Sequence, residues 1–133
     1  METQELLLGT DDQRVHHFTS ESVSEGHPDK VADTIADAIL DAHIAQDPYA
    51  RVACEVLCSS RHVTIAGEIT STATVDHKAI VRKVIRDIGY TDLSASFNAD
   101  TVGITDRIIE QSLNIADGLL ARGELGAGDQ GLM

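Results

Sequence analysis

The sequence contains no tryptophan, and phenylalanine and tyrosine occur only twice each among its 133 residues. Any core must therefore be built mainly from Ile, Val, Leu and Ala. Basic residues are also scarce: ten Lys and Arg stand against 22 Asp and Glu, for a net charge of −12. That balance disfavours nonspecific contact with nucleic acid or an anionic membrane, so neither is expected as a partner. A polyanionic ligand would need neutralising charge from bound cations or from basic residues supplied elsewhere. The two cysteines, Cys54 and Cys58, fall on one face of a single predicted strand. At that spacing they are too far apart for an ordinary disulfide, and they read as buried thiols in a reducing compartment. No stretch approaches the length of a transmembrane helix. The acidic start, Met1 to Gln13 around Leu6-Leu7-Leu8, lacks the positive charge of a signal peptide. These absences predict a cytoplasmic protein with one modest domain and a loose N-terminal extension over residues 1–16.

What is present alternates between helix and strand patterns. From Pro28 to about Gln46, Val31, Ile35, Ala38, Ile39 and Ala42 form one apolar stripe at helical spacing, stopped by Asp47-Pro48. Arg51 to Cys58 reads as a strand with Val52, Cys54, Val56 and Cys58 on one face and Ala53, Glu55 and Leu57 on the other. Ser59 to His62 make a turn, and Val63 to Thr70 form a second strand. If the turn holds an even number of residues, Glu55 and Glu68 share a face as diagonal neighbours. Two carboxylates so placed need cations or hydrogen-bond donors. Asp76 to Ile88 predicts a second amphipathic helix, N-capped by Asp76 and ended by Gly89, with Lys78, Arg82, Lys83 and Arg86 on a solvated side. Ser94 to Ile109 has the residues of one or two short strands, interrupted by Asn98-Ala99-Asp100. Beyond Gln111 the chain becomes loop-like. The expected fold class is α+β: a mixed or antiparallel sheet with amphipathic helices packed on one face.

The chemistry concentrates in Thr19-Ser-Glu-Ser-Val-Ser-Glu-Gly-His-Pro-Asp-Lys30, at the start of the first helix. Pro28 suits the first turn, whose free N–H groups and dipole favour anions such as phosphate. Asp29 suits a hard divalent cation, Lys30 can meet a phosphate, and His27 can donate to a phosphoryl oxygen. A purely structural reading has Ser24 or Gly26 capping the helix. Asp33, Asp37 and Asp41 follow Asp29 at intervals of four. Like charges so spaced cost roughly a few tenths of a kcal/mol per pair, and Asp37 and Asp41 read as a solvated face. His16 and His17 read as solvent-facing or packing residues. Near the end, Gly126-Ala-Gly128-Asp-Gln-Gly131 fits G-x-G-x-x-G literally. It lacks the preceding strand and following helix that a dinucleotide site needs, so the dinucleotide reading is rejected.

The Thr19–Lys30 stretch closely resembles the signature that opens S-adenosylmethionine synthetase (methionine adenosyltransferase). Asp47-Pro-Tyr-Ala-Arg-Val-Ala-Cys-Glu55, Gly67-Glu-Ile-Thr70 and Gly126-Ala-Gly-Asp-Gln-Gly-Leu-Met133 follow in that family's order. The resemblance covers nearly all of the chain from His17 on, and only the opening part of a family member. It divides the chain into a synthetase-like αβ region over residues 17–110 and a loop with a glycine-rich segment over 111–133. It implies joining of ATP and L-methionine: the methionine sulfur attacks C5′ of the ribose, triphosphate leaves, and hydrolysis releases phosphate and diphosphate. The resemblance implies that His27 contacts ATP phosphate, with Lys30 a second phosphate residue, and that Asp29 is a Mg²⁺ ligand. Glu55 is implied at the K⁺ site, Glu68 at the methionine amino group, Gln111 at methionine, and Asp129 beside the substrates. It also implies a homodimer or tetramer, with active sites between subunits.

Two departures qualify these expectations. The family commonly writes Gln-Ser-Pro-Asp-Ile and then Gly-Val, where this chain has Gln111-Ser112-Leu113-Asn114-Ile115 and Gly118-Leu119. Losing the proline loosens that backbone, and losing the aspartate removes a charge. The family's later residues that hold triphosphate and a second Mg²⁺ have no counterpart here, so the isolated chain is expected to be inactive. The competing readings are a noncatalytic partner docking on a full-length synthetase through its sheet, and an acidic metal-binding domain built on Asp29, Glu55 and Glu68.

Overall fold

The structure is a computed structural model that describes residues 17–110. Five elements follow one another: α1 (Pro28–Ile44), β1 (Arg51–Ser59), β2 (His62–Thr70), α2 (His77–Ile88) and β3 (Gly103–Glu110). β1 and β2 pair antiparallel, and β3 joins the other side of β2 in parallel, giving sheet order β1-β2-β3. A parallel neighbour cannot be reached by a tight turn, and α2 supplies the crossover from β2 to β3. The result is the expected α+β architecture, a mixed sheet with both helices on one face. The 1–16 and 111–133 segments of the expected division lie outside the described residues.

The alternation seen in the sequence sets that face. Val63, Ile65 and Ile69 of β2 are buried with Val31, Ile35 and Ile39 of α1 and Val81, Val84 and Ile85 of α2. Cys54, Val56 and Cys58 pack against the same core from β1. Burial raises both thiols, Cys54 to about 11, and both are free. Among the described residues the opposite face carries no helix, and its side chains from β1 include exposed Glu55 and Leu57.

Helix ends follow local chemistry. Asp76 caps α2, its Oδ1 accepting from Ala79 N at 3.0 Å, and Gly89 closes it in the left-handed region at φ 112°. At the end of α1, Asp47 does more than stop a helix. Its carboxylate accepts from Tyr49 N at 3.0 Å, Thr72 N at 2.8 Å and Thr72 Oγ1 at 3.1 Å, pinning the α1–β1 connection to the β2–α2 connection. These donors hold the Asp47 carboxyl below its ordinary range.

Of the one or two short strands expected over Ser94 to Ile109, one forms: β3, from Gly103, after the interruption at Asn98. Asn98 is fully buried, and its side chain takes over the local backbone groups. Its Oδ1 accepts from Asp100 N and Thr101 N, both at 3.0 Å, while Nδ2 donates to Ala95 O at 3.2 Å and Thr101 Oγ1 at 2.7 Å. Backbone groups bonded within the turn are withdrawn from a sheet ladder. Arg82 also leaves the expected solvated side: its guanidinium donates to Ala99 O at 2.6 Å and Val102 O at 3.2 Å.

Candidate active site

Two groups of site residues form, on different parts of the domain. The first sits at the N-terminus of α1. His27 is itself the N-cap, in place of Ser24 or Gly26, with its Nδ1 accepting from Asp29 N at 3.2 Å. An imidazole nitrogen that accepts carries no proton, so neutral His27 holds its proton on Nε2. The cap and a donor function therefore use opposite edges of one ring. Asp29 lies beside it, its side chain 87% exposed and an oxygen 3.9 Å from His27 Nδ1. Lys30 is exposed in the same turn, as are Asp33, Asp37 and Asp41 farther along. Tyr90, after α2, fixes the approach to this helix by donating from Oη to Gly26 O at 2.6 Å. Phe97 braces Tyr90 edge-on, with ring centroids 5.1 Å apart. Together with Pro28, Val31 and Cys58 these rings line an open cavity of about 350 Å³ beside the helix start.

The second group lies on the bare face of the sheet. Ser59 pairs with His62, so the turn is the two residues Ser60 and Arg61, an even number. Glu55 then stands opposite Ala66 and Glu68 opposite Ala53, which puts the two carboxylates on one face as diagonal neighbours. Glu55 is exposed, whereas Glu68 Oε2 is buried without a hydrogen-bond partner among the described residues. A buried carboxylate oxygen without a donor is costly and calls for a cationic or N–H partner. Arg107 of β3 stands opposite Ala66 on the same face, making no ion pair among the described residues. Sequence reasoning missed Arg107, although extending the period-two alternation through β3 would have found it.

Within one chain the structure does not bring the two groups together. No hydrogen bond or ion pair among the described residues joins His27 or Asp29 to Glu55 or Glu68. α1 packs on the helix-bearing face, and the carboxylate pair faces away from it. Gln111 and Asp129 lie outside the described residues. No three His, Cys, Asp or Glu side chains among the described residues converge as a ready metal cage. Asp29 fits the other pattern for Mg²⁺, in which one or two carboxylates act together with substrate phosphates. No helix among the described residues is long and apolar enough to cross a membrane.

A family model for the N-terminal domain of S-adenosylmethionine synthetase matches residues 15–113. The chain belongs to the S-adenosylmethionine synthetase family. It is 58% identical over 116 residues to an S-adenosylmethionine synthase from Salinibacter ruber, covering 87% of this chain and 30% of that protein. It is 54% identical over 127 residues to the synthase of Akkermansia muciniphila, covering 89% of this chain and 32% of that protein. It is 53% identical over 117 residues to that of Mesoplasma florum, covering 87% and 31%. The chain thus spans about a third of the length of these synthases. The matched span includes His27, Asp29, Lys30, Glu55, Glu68 and Gln111 but not Asp129.

Proposed function

We propose that this chain supplies the ATP-phosphate and methionine-facing N-terminal part of a methionine adenosyltransferase, which makes S-adenosylmethionine from ATP and L-methionine. The observation that carries the reading is the orientation of His27. Its Nδ1 is occupied as the α1 cap, which leaves Nε2–H as a donor beside the free N–H groups of the first turn. That combination suits a phosphoryl oxygen, and Lys30 adds a positive charge from the same turn. Asp29 is the residue to hold Mg²⁺, with the nucleotide's phosphates completing its coordination, and Glu55 the residue at a K⁺ site; bound there, these ions supply the positive charge that an acidic chain lacks. Glu68, with a buried oxygen unpartnered among the described residues, is suited to receive the ammonium group of methionine. The work of this part is alignment and charge neutralisation, because a thioether sulfur is already nucleophilic and triphosphate leaves readily once held.

His27 and Asp29 stand apart from Glu55 and Glu68 in one chain, so the complete site is proposed to form between protomers, in a homodimer or tetramer. The bare sheet face, with Leu57 67% exposed and Ile109 60% exposed, supports such packing. Gln111 and Asp129 are proposed to close the site over methionine and nucleotide. The raised thiols of Cys54 and Cys58 fit a cytoplasmic location. A free-standing acidic metal domain has no converging ligand set among the described residues to support it.

Titration of the chain with MgATP tests the reading. His27→Asn keeps a side chain that caps helices well while removing the reach of Nε2–H. It should leave the fold intact and weaken MgATP binding by about tenfold, the equivalent of one charge-assisted hydrogen bond. Asp29→Asn should weaken binding of MgATP more than of metal-free ATP. Absence of MgATP binding, or binding that His27→Asn leaves unchanged, would overturn the assignment.

A further inference from the structure

A histidine pair that the proposed reaction does not use closes the far end of α1. His43, in the last turn of the helix, is 5% exposed, and its Nε2 lies 3.0 Å from Nε2 of His77 at the start of α2. His77 Nδ1 in turn lies 3.0 Å from Asp106 Oδ2 on β3. The rings are tilted at 46° with centroids 5.3 Å apart. Three elements that are distant in sequence thus meet through one chain of hydrogen bonds.

The proton positions in that chain follow from its chemistry. Ionised Asp106 only accepts, so His77 carries a proton on Nδ1. Neutral His77 then presents Nε2 as an acceptor, and the contact between the rings requires the proton on His43 Nε2. His43 Nδ1 is left bare, and it is buried without a hydrogen-bond partner among the described residues. While the link between the rings lasts, His43 Nδ1 is the one vacant imidazole nitrogen of the pair. A proton added in mild acid must go there, creating a buried N–H with no acceptor among the described residues. A second added proton would set N–H against N–H and break the link.

We infer that His43, His77 and Asp106 form a proton-operated clasp that holds the C-terminal end of α1 to α2 and β3 at neutral pH and releases it in mild acid. The clasp anchors the end of the helix opposite His27 and Asp29, and it rests on the fold alone, independent of the proposed reaction.

The surroundings set the sign. Burial and the neighbouring His77 lower the pKa of His43 below the ordinary 6.5, outweighing the opposite pull of Asp47 from the α1–β1 connection. Asp106 and, at the strand end, Glu110 are the acidic groups of β3 on this face, whereas β2 presents apolar Ile65 and Ile69. Cys54 of β1 also feels Asp106, but its thiol, raised to about 11, stays neutral throughout this range. A histidine whose folded pKa is depressed contributes stability that is full above 6.5 and is lost as pH falls from there through the folded value. The acid-side loss from Asp47 and Asp92, both held below 3.8, comes at lower pH and does not overlap.

Urea unfolding of the chain between pH 7.5 and 5 tests the clasp. The wild-type midpoint should fall across this range, and His43→Leu should flatten that fall while leaving the loss below pH 4 in place. Nitrogen NMR of the wild-type imidazoles needs no variant and should find the proton of His43 on Nε2 at pH 7.5, with a titration midpoint below 6.5. Equal pH dependence in the two proteins, a proton on Nδ1 of His43 at pH 7.5, or a midpoint at or above 6.5 would overturn the inference.

Discussion

The two faces of the sheet are built from the same strands by the same alternation, yet they are chemically opposite. On the helix-bearing face, Val63 and Ile65 are completely buried, and Ile69 nearly so. On the other, Glu55 is exposed, Leu57 is 67% exposed and Glu68 keeps an oxygen unpartnered among the described residues. A sheet covered on one side only usually shows polar residues toward water, but scattered polarity is different from two diagonal carboxylates flanked by apolar side chains. The covered face is spent on burial and holds the fold. The other face, uncovered among the described residues, is the one that carries the proposed methionine contact. Substitutions on the two faces should therefore separate stability from binding.

The largest effect is expected where the faces meet. Gly67 has φ +142°, and a Cβ there would collide with Ala53 O on the neighbouring strand. Gly67→Ala combines a backbone conformation that other residues resist with a clash against main chain that cannot rotate away. A loss of ~3 kcal/mol or more is expected in denaturant unfolding. It should also displace Glu68, its neighbour, so methionine binding should suffer beyond the loss of folded protein. A stable Gly67→Ala chain would show that the β1–β2 pairing tolerates a shift there.

Ile65→Ala should come next. Its side chain is fully buried in the core that the sheet shares with the helices, and truncation leaves a cavity costing about 3 kcal/mol. Leu57→Ala, two strand residues past Glu55 on the bare face, should change the stability of the isolated chain by less than ~0.5 kcal/mol. Similar losses for the two substitutions would mean the bare face is covered in the isolated chain.

Much of this division is legible in the sequence. Period-two alternation in Arg51–Cys58 and Val63–Thr70 places Glu55 and Glu68 on one face once the turn is known to hold an even number of residues. The stripe from Val31 to Ala42 marks the buried side of α1, and Asp76 and Gly89 bound α2. Other features depend on distance rather than pattern. Asn98 looks like an interruption between strands, although it organises a buried turn through contacts that composition does not reveal. His43 occupies a position next to the apolar stripe, and nothing local indicates that His77 will meet it from 34 residues away. His27 could be proposed as a phosphate-facing residue from its motif, but its role as the helix cap depends on ring orientation. Whether Glu55 and Glu68 join His27 and Asp29 is a property of assembly, which a single chain's periodicity cannot encode.

A smaller effect is expected from Asp76→Ala, which removes the acceptor for Ala79 N and should cost about 1 kcal/mol. Because α2 carries His77, fraying its first turn should also weaken the clasp to His43. The urea midpoint of this variant should therefore show less pH dependence between pH 7.5 and 5 than that of the wild type. A purely local loss of the cap, with the pH dependence intact, would show that His77 is held by Asp106 alone.

The effect expected of a change at Glu68 carries the sharpest information, because its sign is set by the bare face. Glu68 has one carboxylate oxygen buried without a donor among the described residues and a second carboxylate, Glu55, diagonally beside it. Glu68→Gln removes that negative charge while keeping the shape of the side chain. In the isolated chain this should leave stability unchanged or raise it, by up to ~1 kcal/mol, since a neutral amide is cheaper to bury than an unpaired charge. L-Methionine binding, read by titration, should fall, because an amide offers no counter-charge to an ammonium group. A residue that is better for the fold when altered and worse for the ligand is held in place by the ligand. A Glu68→Gln chain that is markedly less stable would instead mean that the carboxylate already has a structural partner, and the methionine assignment would lose its physical basis.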